Sequence, residues 1–211
     1  MLDEWVHADR LARYADLVRA CPHNLLSSRG LEELESRHIR ESVALAADLP
    51  SEIDLVDVGP GGGLPGMVIA LMRPDIAVTM VEATRKKADF LRQAATELEV
   101  EVDVRHGRIE ELAAGEFAQR FDVATARAVA SIEKLVGWVL PALRPGGELW
   151  AIKGKRWDQD LEDARPTLER VGAEVRRTPR FSTREPDPVS PTSPVVVIIG
   201  RARVRVDRGD T

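Results

Sequence analysis

The chain is short of several things, and each shortage narrows what it can be. Among its 211 residues there is one cysteine, Cys21. A lone cysteine forms no internal disulfide and builds no zinc cage, so the fold must rest on burial, and a reducing compartment is expected. The four histidines, at 7, 23, 38 and 106, lack metal-ligand spacing, and no metal site is expected. Aromatic residues make up only 4%, which leaves the core to Val, Leu, Ile and Ala. No apolar run approaches the roughly 20 residues that span a bilayer. The segment Met1–Arg13 is charged and has no apolar stretch of the secretory kind. A cytoplasmic protein, monomeric and without a membrane partner, is the expectation. A basic excess is missing too: the formal net charge is −5. That argues against coating DNA by charge alone, though it leaves room for a local basic face.

What is present is ordinary for one globular unit, with 44% hydrophobic and 31% charged residues. The pattern divides the chain into an N-terminal helical extension (1–50), an α/β domain (51–202) and a charged tail (203–211). In the extension, Leu11, Tyr14, Ala15 and Val18 recur at helical spacing. The run Cys21-Pro22-His23-Asn24 breaks that helix. A second helix is predicted over Leu31–Leu49, with Leu34, His38, Ser42, Leu45 and Leu49 on one face. From Ile53 the pattern changes to short apolar runs alternating with helices. Strands are predicted over Ile53–Val58, Ala77–Val81, Val100–Val104, Phe121–Thr125 and Glu148–Ile152. Between them fall helices from Pro65 to Met72, one capped by Thr84, and one over Ile132–Leu143; another follows over Asp158–Val171. Ala173–Thr178 and Val195–Gly200 read as a closing pair of strands, joined by a loop with four prolines between Arg184 and Pro194. Alternation of this kind implies a doubly wound, mostly parallel sheet covered on both faces.

The motif that carries chemistry is Asp57-Val58-Gly59-Pro60-Gly61-Gly62-Gly63, placed between a predicted strand and a predicted helix. Glycines are needed where backbone turns sharply and a ligand approaches it closely. A dinucleotide fingerprint would have a small residue at the third position of its Gly-x-Gly-x-x-Gly pattern, where this chain has the bulky Leu64. The spacing is Asp-x-Gly-x-Gly-x-Gly instead. An acid two residues before the first glycine suits a ligand with a cationic amino-acid end, as S-adenosylmethionine (SAM) has, better than a pyrophosphate. Glu82, about twenty residues on at a strand end, can accept two ribose hydroxyls. Arg108-Ile109-Glu110 follows the third strand and can border an adenine. Arg127, at the end of the fourth, faces the side on which open α/β sheets bind ligands. Lys153 and Lys155 follow the fifth. The lone Cys21 lies outside this core, which counts against the cysteine-nucleophile route to a pyrimidine carbon. A ring nitrogen with an available lone pair needs neither nucleophile nor base, only alignment.

Together these segments resemble the RsmG (GidB) family of bacterial 16S rRNA guanine-N7 methyltransferases. The resemblance runs from Asn24 to about Gly200. It is carried by Asn24-Leu25-Leu26-Ser27-Ser28, Arg37-His38-Ile39-Arg40-Glu41-Ser42, Asp57 through Gly66, Arg85 through Leu91, Arg108-Ile109-Glu110-Glu111, Arg127-Ala128-Val129-Ala130-Ser131 and Lys153-Gly154. It implies a Rossmann-like class I SAM-dependent methyltransferase fold. SAM would meet Gly59, Gly61, Leu64, Glu82, Ile109, Glu110 and Arg127, with Asp57 and Gly63 in the same loop. Asn24, Arg108 and Arg127 match positions tied to catalysis or RNA binding. Arg37, His38, Lys153 and Lys155 are the expected RNA contacts, and the partner would be 16S rRNA or the small ribosomal subunit. Three departures from the family pattern stand out. Pro60 replaces a small hydroxyl residue, Glu41 replaces an aspartate, and Thr192-Ser193-Pro194 stand where a basic residue is usual, with Arg180 or Arg184 as candidates to replace it.

Overall fold

The computed structural model describes residues 7–179 and 195–201. The readings that concern Arg180, Arg184, the proline-rich loop, Thr192–Pro194 and the charged tail lie outside the described residues. Three helical pieces open the fold: α1 (Ala8–Ala20), α2 (Ser28–Glu32) and α3 (Arg40–Asp48), with a π-helical turn at Leu34–Ile39 between the last two. Then strands and helices alternate: β1 (Asp54–Val58), α4 (Gly66–Met72), β2 (Ala77–Glu82), α5 (Arg85–Glu97), β3 (Asp103–His106), α6 (Ile109–Ala113), β4 (Phe121–Arg127), α7 (Ile132–Val139), β5 (Leu143–Lys153), α8 (Trp157–Val171), β6 (Ala173–Arg177) and β7 (Val195–Arg201). The seven strands lie in the order β3-β2-β1-β4-β5-β7-β6. Pairings among β3, β2, β1, β4 and β5 are parallel, and β7 enters antiparallel between β5 and β6.

Strand alternation sorts the core onto two faces. Leu55, Met80, Trp150, Ile152 and Ile198 join one cluster, while Val56, Val81, Leu149, Ala151 and Ile199 join the other. A sheet buried on both faces explains the near-continuous apolar strands. The first face is covered by α4, α5 and the N-terminal helices together: Leu11, Tyr14, Leu34, Ile39 and Leu45 are fully buried there with Met67 and Leu91. The extension read from the sequence therefore shares its core with the α/β domain. Three arginines fasten it. Arg10 and Arg13 donate to the carbonyls of Leu98, Glu99 and Glu97 at the end of α5. Arg73 does the same for Ala46, Leu49 and Pro50 at the end of α3, satisfying carbonyls that a helix end leaves open.

Four sequence expectations need correction. The helix expected over Leu31–Leu49 starts earlier, at Ser28, because Ser27 caps it by accepting from the Gly30 amide at 3.1 Å, and its middle is π-helical. Thr84 stands at the start of α5, but its side chain makes no capping bond; its amide donates instead to Glu82 Oε1 at 2.8 Å. β3 begins at Asp103, since only Asp103–His106 finds partners on β2 (Thr79–Glu82). β5 is longer than expected, from Leu143, because Gly146 adopts φ +88° and lets the chain pass the Pro145-Gly146-Gly147 run as an irregularity within the strand.

Candidate active site

The carboxyl ends of β2, β1 and β4 lie side by side, at the point where the strand order reverses from β1 to β4. A crevice at such a point is where open α/β sheets take ligands. The loop leaving β1 holds Gly59, Gly61 and Gly63 at φ +64°, +59° and +108°. Every second residue is thus in a region open chiefly to glycine, and this is the physical content of the Gly-x-Gly-x-Gly spacing. The loop is braced on each side. Gly59 N–H donates to the Val81 carbonyl at 2.9 Å, and Gly61 N–H to Glu82 Oε2 at 3.1 Å. The hydroxyl of Tyr14, the chain's single tyrosine, donates to the Gly62 carbonyl at 2.8 Å from α1. Leu25 and Leu26 lie against Gly61 and Gly62, so the Asn24 loop roofs the glycine loop, with Asn24 itself exposed.

Asp57 lies beneath the loop and has no exposed surface. One oxygen accepts from the Gly66 amide at 2.7 Å and the other from the Thr125 hydroxyl at 2.9 Å. The sequence reading had it face a ligand's cationic end. In this structure both oxygens are engaged, and Asp57 ties the loop to the first turn of α4 and to β4. Burial pushes its carboxyl up to about 7, against the Gly66 and Thr125 bonds and the nearby Arg127, all of which favour the charged form. Glu82 is buried at the end of β2. Each of its oxygens holds one backbone amide, Gly61 or Thr84, and keeps acceptor capacity for one more donor. Ile109 is buried, Glu110 is half-buried, and Arg108 is exposed with Glu110 at 3.6 Å. Leu64 packs into the core, so a ligand would meet its backbone.

Arg127 ends β4 with only 15% of its side chain exposed. Its guanidinium donates to Glu41 Oε2 at 2.6 Å, and it also contacts His38 Nδ1. Arg37 holds the other Glu41 oxygen at 2.9 Å and Glu33 at 2.8 Å. Burial raises the Glu41 pKa, but His38, Arg127 and Arg37 outweigh it and hold the group below its ordinary value. Arg37, His38 and Arg127, named separately in the sequence, thus form one cluster around a carboxylate. In the sequence Glu41 stands out as part of a matching run and as a departure within it, and not as a partner of Arg127. The signal was the spacing Arg29, Glu33, Arg37, Glu41, a ladder of alternating charge every four residues. Tyr14 gave no signal beyond its place on a buried helix face.

A family model described as rRNA small subunit methyltransferase G (GidB) matches residues 7–187. The chain belongs to this family. The ribosomal RNA small subunit methyltransferase G of Mycolicibacterium smegmatis is 38% identical over 179 residues, 85% of this chain and 74% of that protein. Among solved structures, the mitomycin 7-O-methyltransferase MmcR aligns at TM-score 0.62 and 17% identity, over 95% of this chain and 70% of that one. The [4+2]-cyclase SpnF aligns at TM-score 0.55 and 22% identity, over 69% and 60%. The last comparison shows why fold alone does not give the reaction. The structural neighbours establish the class I SAM-dependent methyltransferase fold.

In this GidB family member Pro60 turns the glycine loop by accepting from the Gly63 and Leu64 amides at 2.9 and 3.0 Å. Lys153 corrects the sequence reading. It is buried, pairs with Asp160 at 2.7 Å and donates to the Ala130 carbonyl. Asp160 in turn accepts from the Ile132 amide at 3.0 Å. Lys153 therefore anchors the segment after β4 with two of its three ammonium donors already committed, whereas Lys155 is exposed. Val129 is the exposed large apolar side chain among the described residues, 38% exposed, and lies against Gly59. Ala128, at φ +52°, turns it there.

Two predictions follow from these braces. Tyr14→Phe leaves the buried Gly62 carbonyl without its donor and should cost about 1–3 kcal/mol, read as a lower denaturant midpoint. The second concerns pH. Folded Asp57 keeps its proton up to about 7, whereas the unfolded group releases it near the ordinary carboxylate value. The folded state then binds the extra proton between roughly pH 4 and pH 7, so its stability falls as pH rises through that window. Asp57→Asn keeps an acceptor for Gly66 and cannot titrate. The stability difference, wild type minus variant, should therefore shrink from about pH 5 to about pH 8 in urea titrations. A constant difference would show Asp57 ionised throughout.

Proposed function

We propose that this chain transfers the methyl group of SAM to N7 of a guanosine in 16S rRNA of the small ribosomal subunit, acting as a cytoplasmic monomer. Family membership supports the reaction class. The observation that carries the reading is the joint placement of the alternating glycine loop, Glu82 and the Arg127 cluster at three adjacent strand ends.

The residues fit the donor molecule. Gly59, Gly61 and Gly63 leave backbone without side chains to approach, and Glu82 has acceptor capacity for the ribose hydroxyls. Ile109 and Glu110 would border the adenine, the Leu64 backbone would line the loop, and Asp57 would hold the loop in shape from below. Bound SAM supplies an electrophilic methyl on a sulfonium, and transfer to N7 leaves a neutral thioether and a cationic guanine ring with no proton to remove. The chain's task is therefore alignment. Arg127 would position the acceptor, and its pairing with Glu41 limits repulsion with a ring that gains positive charge. Asn24 and Arg108, both exposed beside the site, would touch RNA together with Arg37, His38 and Lys155.

The test is transfer of labelled methyl from SAM to small subunits from a strain lacking the modification, with the nucleotide mapped. Label at one guanine N7 supports the reading. SAM binding with label absent from rRNA would move the acceptor elsewhere, and no SAM binding would defeat the reading altogether.

A further inference from the structure

The segment that leaves β4 carries a side chain that the reading above does not use. Val58 and Ala126 are in register, so Gly59 and Arg127 leave the sheet side by side. Val129, two residues on, stands at the mouth of the site, where a Cβ built on Gly59 would lie 2.9 Å from its Cγ2. It is the exposed large apolar side chain among the described residues. A single exposed valine is ordinary on a protein surface. The way this one is held is not.

Four non-glycine residues among the described ones have a positive φ. Glu52, Glu99 and Gln119 are exposed and precede β1, β3 and β4, at the amino ends of parallel strands. Ala128, at φ +52°, is the one at the carboxyl ends, between Arg127 and Val129. The left-handed region is unfavourable for a residue with a Cβ. The turn is fixed from both sides. Upstream, Arg127 is tied to Glu41 at 2.6 Å. Downstream, the Ala130 carbonyl accepts from Lys153, which pairs with Asp160 at 2.7 Å, and Asp160 takes the Ile132 amide at 3.0 Å. Two ion pairs largely out of solvent thus enforce a strained turn, and what the turn presents is an apolar side chain in the open. Strain kept by over-determined surroundings clusters at binding and reacting sites.

The acceptor has a matching need. The N7 lone pair lies in the plane of the guanine ring, so the tilt of the ring decides whether it points along the breaking sulfur–methyl bond. An edge contact from Arg127 fixes rotation within that plane and leaves tilt open. An apolar contact on the ring face fixes tilt, excludes water and does not repel a ring that gains positive charge. We infer that Val129 is that contact. It bears on the face of the acceptor guanine, and the Ala128 turn holds it in position before RNA arrives. The inference deepens the reading above and rests on its acceptor being a guanosine.

The test uses the full chain, SAM and small subunits lacking the modification. Val129→Ala should lower the single-turnover rate at saturating subunits about tenfold, the size of a lost apolar contact. Its SAM Kd and urea midpoint should stay at the wild-type values, since the position is exposed. Val129→Ile keeps the apolar face and should remain within about threefold of wild type. Val129→Thr keeps the shape against Gly59 but replaces a methyl by a hydroxyl, and should lose about fivefold or more. It decides the matter should Val129→Ala shift the midpoint. Rates of both the Ala and Thr variants within about twofold of wild type would overturn the inference. So would a rise in SAM Kd that accounts for the lost rate, because Val129 would then belong to the donor pocket. Wild-type protein that binds SAM yet leaves rRNA unmethylated would instead overturn the RNA reading, and the inference with it.

Discussion

Arg127→Ala should lower methyl transfer about 100-fold or more, a size typical of lost alignment at a reacting centre, while the protein still folds. Arg127 is one of two arginines on Glu41; the other, Arg37, remains at 2.9 Å when Arg127 is removed. The buried carboxylate therefore keeps a partner, and the stability cost should stay near 1–3 kcal/mol, that of a lost charge-assisted bond. Arg127→Lys is the sharper comparison. A lysine puts a single ammonium where a planar fork now reaches both Glu41 and His38, so it should preserve stability better than activity. Single-turnover transfer to subunits, measured beside denaturant midpoints, separates the two effects. Activity of Arg127→Ala within about threefold of wild type would reduce Arg127 to a strut between β4 and the N-terminal helices.

Gly63→Ala should be strongly destabilising. Gly63 has φ +108°, beyond even the left-handed helical region that other residues visit. A Cβ there would stand 3.0 Å from both Met67 Cβ and the Tyr14 hydroxyl and 3.2 Å from Leu91 Cδ2, in fully buried surroundings. Backbone strain of about 1–3 kcal/mol and overpacking of similar size should combine, with loss of SAM binding because the loop must move. Gly137→Ala provides the opposite sign. Gly137 lies within α7, its Cβ would meet nothing within 4 Å, and alanine there should stabilise by about 0.5–1 kcal/mol. Urea denaturation of the two variants reads both signs. Equal behaviour would show that the glycine loop tolerates a side chain.

The fold was largely legible before any coordinates. Alternating apolar strands and amphipathic helices are local patterns, and β1, β2, β4, α4, α5 and the closing pair fall where the periodicity places them. Local pattern failed where pairing decides. The Val100-Val102-Val104 alternation looks like a strand, but hydrogen bonding to β2 starts only at Asp103. The Pro145-Gly146-Gly147 run looks like a break, yet β5 passes through it. The antiparallel insertion of β7 between β5 and β6 is also invisible in the sequence, since strand order depends on contacts distant along the chain.

For the site, the sequence by itself determined the backbone of the glycine loop, because glycine at alternate positions records the backbone angles directly, and its spacing singled out Glu82, which the structure places against that loop. It also determined the family, through runs such as Arg37-His38 and Arg127-Ala128-Val129-Ala130-Ser131. What each charged group does was decided by tertiary structure alone. Asp57 faces Thr125 and the Gly66 amide, Lys153 is paired with Asp160, and Arg127 is gathered with Glu41 from 86 residues away. The reason is electrostatic: a charge buried in a folded protein is defined by its partner, and these partners meet only when the N-terminal helices pack against the sheet.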